Sequence, residues 1–216
     1  MMVHAILFDM DGVIVDSMRS HAGAWKQVLG DYGMVLDDID ILKREGMSGR
    51  QSVEDIFIER GRPVPDEDEF RLLLQKKNAL FERDRISLFP QVVTMLSWIK
   101  KRNKPTALVT GSLRRSVAHV MPGGVLSLFD VLITAEDVTN GKPDPEPYVK
   151  ACMRLGVEPD RALIIENAPM GIRSAKSAGA LCYALETTMP GRLLADADRI
   201  FRDHESLFEF LKSHLD

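Results

Sequence analysis

The chain has 216 residues, of which 45% are hydrophobic and 28% charged, and its formal net charge is −4. This length buries a sizeable core in one or two domains, and the mild acidity gives no reason to expect nucleic acid or an anionic membrane as partner. Two cysteines without a CxxC or His-rich tract, no bilayer-length apolar run and no secretory features in Met1-Met2-Val3-His4 exclude a disulfide framework, a zinc knuckle and export, leaving a reducing cytoplasm as the expected compartment.

The first element is the apolar run Val3 to Phe8, which ends in Asp9-Met10-Asp11-Gly12-Val13. A buried strand that stops at a glycine here delivers two carboxylates to its carboxyl end, where open α/β sheets bind ligands. Such a pair suits a nucleophile beside an acid/base or a metal ligand. Taken alone, Asp-x-Asp-Gly is also an ordinary turn closing a core strand.

Residues 18 to 86 carry helical patterns and almost no β-branched apolar run. Helices are predicted over His21–Leu29, Val53–Arg60 and Phe70–Phe81, separated by Gly and Pro breakers. This stretch reads as an inserted helical subdomain, 17–87, joined to a core of 1–16 and 88–216 by linkers near Asp16-Ser17 and Ile86-Ser87-Leu88. Two adjacent linkers can act as a hinge.

From Pro90 onward, helical and strand patterns alternate. Strands are predicted at Thr106–Thr110, Val131–Thr134, Ala162–Ile165, Leu181–Ala184 and Ile200–Phe201, and helices at Val92–Lys101, Glu146–Leu155 and Met170–Ala178. Gly156 and Gly179 stop the last two. Repeated βα units imply a mostly parallel sheet, hence an α/β fold. Three strand ends carry chemistry. Thr110-Gly111-Ser112 offers hydroxyls and a close-approach backbone for a phosphate oxygen, or simply a helix cap. Lys142, in Asn140-Gly141-Lys142-Pro143-Asp144-Pro145, is a lone loop cation that could neutralise a transferring phosphoryl group. Glu166-Asn167 ends a very apolar strand with hard oxygen donors that suit magnesium, and equally with an acidic helix start. The basic runs Lys100-Lys101-Arg102 and Arg114-Arg115 read as solvated helix ends.

In this combination the sequence resembles the haloacid dehalogenase superfamily, in particular its phosphatases and the related β-phosphoglucomutases. The resemblance rests on Asp9-Met10-Asp11-Gly12-Val13, Thr110, Lys142 in Gly-Lys-Pro-Asp-Pro, and Glu166-Asn167 with Gly171-Ile172, four motifs in order over nearly the whole chain. It implies a Rossmann-like parallel-sheet core with an inserted α-helical cap, and a monomer acting on a small phosphate ester. It further implies Asp9 as nucleophile, Asp11 as acid/base, Thr110 and Lys142 as stabilisers of the phosphoryl oxygens, and Mg2+ held by Asp9, the Asp11 main chain, Glu166 and Asn167. Gly111 and Ser112 would line the phosphate site, and His21, Arg50 and Lys77 the substrate.

Two departures bear on function. Relatives usually place Glu-Asp where this chain has Glu166-Asn167, which removes a negative charge and predicts weaker metal binding. In the cap segment Glu45-Gly46-Met47-Ser48-Gly49-Arg50, Glu45 stands where a basic residue is expected, and Gly49 where an arginine is. A mutase must hold a second phosphate with cationic groups, so the replacement argues for hydrolysis. A sugar phosphate mutase is the alternative, and a non-catalytic phosphate-binding protein stands behind it. Lys26, near the start of the cap, keeps a phosphonate hydrolase in view.

Overall fold

The computed structural model describes residues 3–215; Met1, Met2 and Asp216 lie outside the described residues, and with them half of the segment read for a secretory signal. Six strands form one sheet: β1 (Ala5–Phe8), β2 (Thr106–Val109), β3 (Val131–Ile133), β4 (Ala162–Glu166), β5 (Leu181–Leu185) and β6 (Arg199–Phe201). Their spatial order is β3-β2-β1-β4-β5-β6, and all the pairings are parallel. All five strands predicted beyond β1 are present. No described helix is long and apolar enough to cross a membrane.

β1 lies between β2 and β4, with Phe8 in register with Leu108 on one side and Ile165 on the other. The chain turns to one side of β1 for β2 and β3 and then crosses to the other for β4, so β1 marks the topological switch point where such sheets bind ligands. Alternation along the strand divides the interior in two. Ile6 and Phe8 face one layer, which includes Met95, Leu96 and Ile99 of α5 (Val92–Lys100) and Leu207 and Leu211 of α10 (His204–His214). Ala5 and Leu7 face the other, with Tyr148 and Ala151 of α8 (Glu146–Leu155) and Ile172 and Ala175 of α9 (Pro169–Ser177). Both faces of the sheet are therefore covered, as its continuous apolar strands require.

Four helices, α1 (Met18–Gly30), α2 (Asp38–Leu42), α3 (Gly49–Glu59) and α4 (Glu67–Phe81), pack around a separate core of Trp25, Val28, Leu29, Ile41, Val53, Ile56, Phe57 and Leu73. The three expected cap helices occur, each starting about a turn earlier than the apolar pattern, in α3 and α4 because mostly polar residues fill the first turn. Asp66 caps α4 through the amides of Asp68 and Glu69, and Ser48 caps α3 through Gln51. The two linkers run side by side: Asp16 N–H donates to the Ser87 carbonyl at 2.9 Å, and Phe89 N–H to the Ile14 carbonyl at 3.1 Å.

Helix α6 (Arg114–Val120) starts where the sequence marked a helix end after Ser112, whereas α2, α7 (Gly123–Leu126) and α10 were not expected. For α10 a signal existed: Asp203 caps the Ser206 amide in a reciprocal capping box ahead of buried Leu207, Phe208 and Leu211.

Candidate active site

Every strand-end residue singled out above arrives at one edge of the sheet. Asp9 follows β1, Thr110 follows β2, and Glu166 ends β4. Asp9, Asp11, Thr110, Lys142, Glu166 and Asn167 are all buried.

Lys142 is the hub. Its Nζ donates to Asp9 Oδ1 at 2.6 Å, to Glu166 Oε1 at 2.7 Å and to the Val109 carbonyl at 3.3 Å. Burial alone would lower the lysine's proton affinity, but Asp9 and Glu166 together push it above the ordinary range, so it is a permanent cation. Tyr148 completes the clamp: its hydroxyl donates to Glu166 Oε1 at 2.6 Å, and its ring lies under the ammonium, 4.8 Å from Nζ to the centroid. Glu166 Oε2 accepts from the Asn167 and Ala168 amides at 3.0 and 3.4 Å. Both oxygens of Glu166 thus accept two donors each, which exhausts the acceptor sites of a carboxylate. In this metal-free arrangement Glu166 is the anchor of Lys142. Gly171 shields that anchor, since a Cβ there would lie 1.7 Å from Glu166 Oε1.

Asp11 sits in a different setting. Ser17 Oγ donates to its Oδ1 at 2.5 Å, His21 Nε2 lies 3.1 Å from the same oxygen, and Ser112 Oγ and Thr110 Oγ1 approach Oδ2 at 3.1 and 3.5 Å. Burial opposes ionisation, yet His21, Ser17 and Lys77 outweigh it and hold the carboxyl at about 2. Asp9 is the opposite case: burial raises it, Lys142 pulls it back, and Glu166 and Asp11 raise it again, to about 8. The two carboxyls of one motif are therefore pushed apart: in the metal-free protein the proton rests on Asp9 and Asp11 is a carboxylate.

Three buried acceptor oxygens at this edge have no partner: Asp9 Oδ2, Asn167 Oδ1 and Glu45 Oε2. The Asn167 amide nitrogen is committed, donating to Thr188 Oγ1 at 2.9 Å and to Glu45 Oε1 at 3.0 Å, which turns its oxygen free. Unpartnered buried oxygens beside Asp9, Asp11, Glu45 and Glu166, with Lys142 already committed, are the donor set of a hard cation such as Mg2+. The residues fit the metal, although no group of three His, Cys, Asp or Glu among the described residues forms a cage of its own. Asn167 contributes an amide oxygen, Oδ1, to the three partnerless ones. Gly12 admits it, because a Cβ at Gly12 would lie 2.0 Å from Asn167 Nδ2.

Asp9, Asp11, Thr110, Gly111 and Ser112 form the core end of a cavity of about 270 Å³. Its cap end is lined by Trp25, Ile41, Val53, Ile56, Phe70 and Leu74, with His21, Arg50 and Lys77 also on the wall. His21 stacks on Phe81, 4.1 Å between centroids, and burial and Lys77 lower its proton affinity despite Asp11. Lys77 lies over the same ring at 4.8 Å, and burial brings it down to about 8. Arg50 is occupied within the cap by Glu54, at 2.8 Å, and by Glu67. Lys26 pairs with Asp38 on the cap surface and is absent from the cavity wall. Sequence reasoning missed Tyr148, which reads as an apolar helix position, and Thr188, which has no motif around it; Glu45 was noticed only as a departure.

Fold and site together define a capped α/β enzyme of phosphoryl transfer. Comparison with known proteins agrees. A model of the haloacid dehalogenase-like hydrolases matches residues 3–179. The validoxylamine A 7'-phosphate phosphatase of Streptomyces hygroscopicus subsp. limoneus is 33% identical over 204 residues, covering 94% of each chain. The fructose-1-phosphate phosphatase YqaB of Escherichia coli is 32% identical over 180 residues, 81% of this chain and 92% of that protein. A solved structure of a beta-phosphoglucomutase candidate from Bacteroides vulgatus superposes with a TM-score of 0.88 at 32% identity, covering 98% of this chain and 88% of the other. The chain belongs to the haloacid dehalogenase-like hydrolase family.

Proposed function

We propose that the protein is a magnesium-dependent phosphatase that hydrolyses a small phosphate monoester, of the sugar phosphate kind, through an aspartyl-phosphate. The observation that carries this reading is the division of Asp9, which lines the core end of the cavity: one oxygen is fixed by Lys142 at 2.6 Å while Oδ2 has no partner. A nucleophile must be oriented and yet unpartnered at the attacking atom.

Asp9 Oδ2 attacks phosphorus, forming the O–P bond as the ester oxygen leaves. Lys142 steadies the oxygens that carry the charge, with Thr110, Ser112 and the Gly111 backbone on the far side. Asp11 protonates the departing alkoxide. It rests as a carboxylate in the free protein; an incoming phosphate raises its proton affinity by like-charge repulsion, so that it takes up a proton from solvent as substrate binds and has one to give. It then takes the proton from the water that attacks the aspartyl-phosphate, so that phosphate leaves, Asp9 is restored as a carboxylate, and Asp11 ends protonated until it returns that proton to solvent or uses it on the next leaving group; each transfer is worth roughly 10²–10⁴-fold. Mg2+, held by Asp9, Asn167 and the Asp11 main chain, would screen the anionic nucleophile from the anionic phosphate.

The same cavity supports hydrolysis over mutase chemistry. A bisphosphate intermediate requires a strong cationic grip in the cap; Arg50 is paired with Glu54 and Glu67 and Glu45 presents a carboxylate toward Asn167, which leaves Lys77, among the described residues, as the unpaired cap cation on the wall. The apolar and aromatic cap wall suits the carbon skeleton of a sugar-like leaving group. The test is magnesium-dependent phosphate release from a panel of small phosphate esters that includes β-glucose 1-phosphate, run beside Asp9→Asn. Release lost in the variant supports the reading; isomerisation of β-glucose 1-phosphate without release would establish the mutase instead.

A further inference from the structure

The cap loop that follows α2 reaches across to the core. Arg44, 4% exposed, is turned back into the cap, where it pairs with Glu59 and bonds the Asp40 carbonyl. Beyond it, Glu45 points the other way, is 8% exposed, and meets Asn167 Nδ2 at 3.0 Å. Gly46 lies on Lys142, where an added Cβ would be 3.0 Å from the lysine Cδ, and the Gly46 and Met47 carbonyls press on Gly111. The loop is therefore seated on the catalytic edge with no room to spare.

A carboxyl buried beside Asp9, Asp11 and Glu166 either keeps its proton or is received by a cation, and in the metal-free protein burial and those carboxylates raise the proton affinity of Glu45 well above the ordinary range. No protein cation among the described residues receives it. Lys142 is committed to Asp9 and Glu166, Arg44 faces Glu59, and Glu45 Oε2 has no partner at all. The two other partnerless oxygens nearby are Asp9 Oδ2 and Asn167 Oδ1. The core has an amide at 167, and the missing negative charge is instead on the residue that touches that amide.

We propose that Glu45 is a cap-borne ligand of the metal, so that the cation site is completed only when the cap is shut, and metal binding and cap closure are one linked equilibrium. The proposal rests on the magnesium-dependent reading above. It has a thermodynamic consequence: if closure supplies a ligand, the metal must favour closure by the same factor. An open enzyme would hold Mg2+ weakly through Asp9 and Asn167, and a closed one would hold it with an added full charge. The residue before the cap glycine, which offers no grip on a second phosphate, would act as a latch.

The test uses the full-length enzyme without substrate. Mg2+ binding is measured by titration calorimetry, and hydrogen exchange of the 45–49 loop is followed with and without Mg2+, for the wild type, Glu45→Gln, and Glu45→Gln combined with Asn167→Asp. The Glu45→Gln change keeps the size and a hydrogen bond but not the charge. The expected result is that Mg2+ slows exchange in the wild-type loop, and that Glu45→Gln weakens binding on the order of tenfold or more, as loss of a ligand charge does, while abolishing the slowing. Adding Asn167→Asp returns affinity but not loop protection, since the charge is back on the core alone. Unchanged affinity in Glu45→Gln, or a loop response that survives the substitution, overturns the latch and leaves the metal reading standing. Failure of the wild type to bind Mg2+ overturns both.

Discussion

Tyr148→Phe isolates one bond of the site. The substitution keeps the ring that packs under Lys142 and removes only the hydroxyl that donates to Glu166 Oε1 at 2.6 Å. Burial, with Glu166 and Asp9 adding, holds the phenol well above its ordinary range, so it is a donor at every working pH. A hydrogen bond to a buried charged group contributes about 1.5–3 kcal/mol. Glu166 Oε1 keeps its 2.7 Å contact with Lys142, which places the loss in the lower half of that range. For a chain of this size each kcal/mol lowers the melting temperature by about 2–4 °C, so roughly 3–9 °C is expected. Thermal unfolding followed by circular dichroism reads it directly, and urea unfolding with an unchanged m-value would assign it to the native state. Turnover should fall far less than in Lys142→Met, because both carboxylates still fix the lysine. An unchanged melting temperature would refute the reasoning that Glu166 is a saturated anchor.

Other consequences are equally open to measurement. Gly171→Ala drives a methyl into Glu166 Oε1; a loss of about 1–3 kcal/mol from overpacking, with reduced turnover, is expected in parallel unfolding and rate measurements. Asn167→Asp should lower the magnesium concentration for half-activity and also lower the metal-free melting temperature, because the new carboxylate replaces the amide that donates to Glu45; half-activity at an unchanged concentration would place residue 167 outside the metal shell. Asp9 has a folded-state value of about 8, above its ordinary 3.8, so its contribution to metal-free stability is full below 3.8 and is lost as pH rises through 8. Below that pH a metal must displace the Asp9 proton, and the magnesium-induced rise in melting temperature should grow from about pH 6 to about pH 8, where a flat profile would contradict it. His204 is buried with its ring nitrogen 2.6 Å from the Val13 carbonyl, and burial lowers its proton affinity in spite of that bond and of Asp203. Its stabilising effect is therefore present above 6.5 and lost as pH falls below it, a dependence that His204→Gln should flatten.

Much of this was readable from residues that follow strands. Asp9, Thr110 and Glu166 lie at the ends of β1, β2 and β4, and a parallel sheet carries strand-end residues to one edge whatever its details. Lys142 was readable because a lysine between Gly141 and Pro143 belongs to no helix pattern. What escaped depends on how separate bodies meet. Tyr148 occupies a buried face of α8, and nothing in a helical period distinguishes a ring that packs from a hydroxyl that anchors a carboxylate. Glu45 reaches Asn167 only because the cap loop is seated on Gly111 and Lys142, a rigid placement that local periodicity does not encode. The four donors around Glu166, all within 3.4 Å, were equally invisible, since they come from α8, the Lys142 loop and the turn after β4.

The central claim is that Asp9 carries the phosphoryl group. Acid quench of the enzyme with magnesium and a turned-over sugar phosphate, followed by peptide mass spectrometry, should find a phosphoryl adduct on the peptide that holds Asp9 and none in Asp9→Asn, which should also be inactive. Full turnover in Asp9→Asn, or an adduct on another residue, would contradict the account.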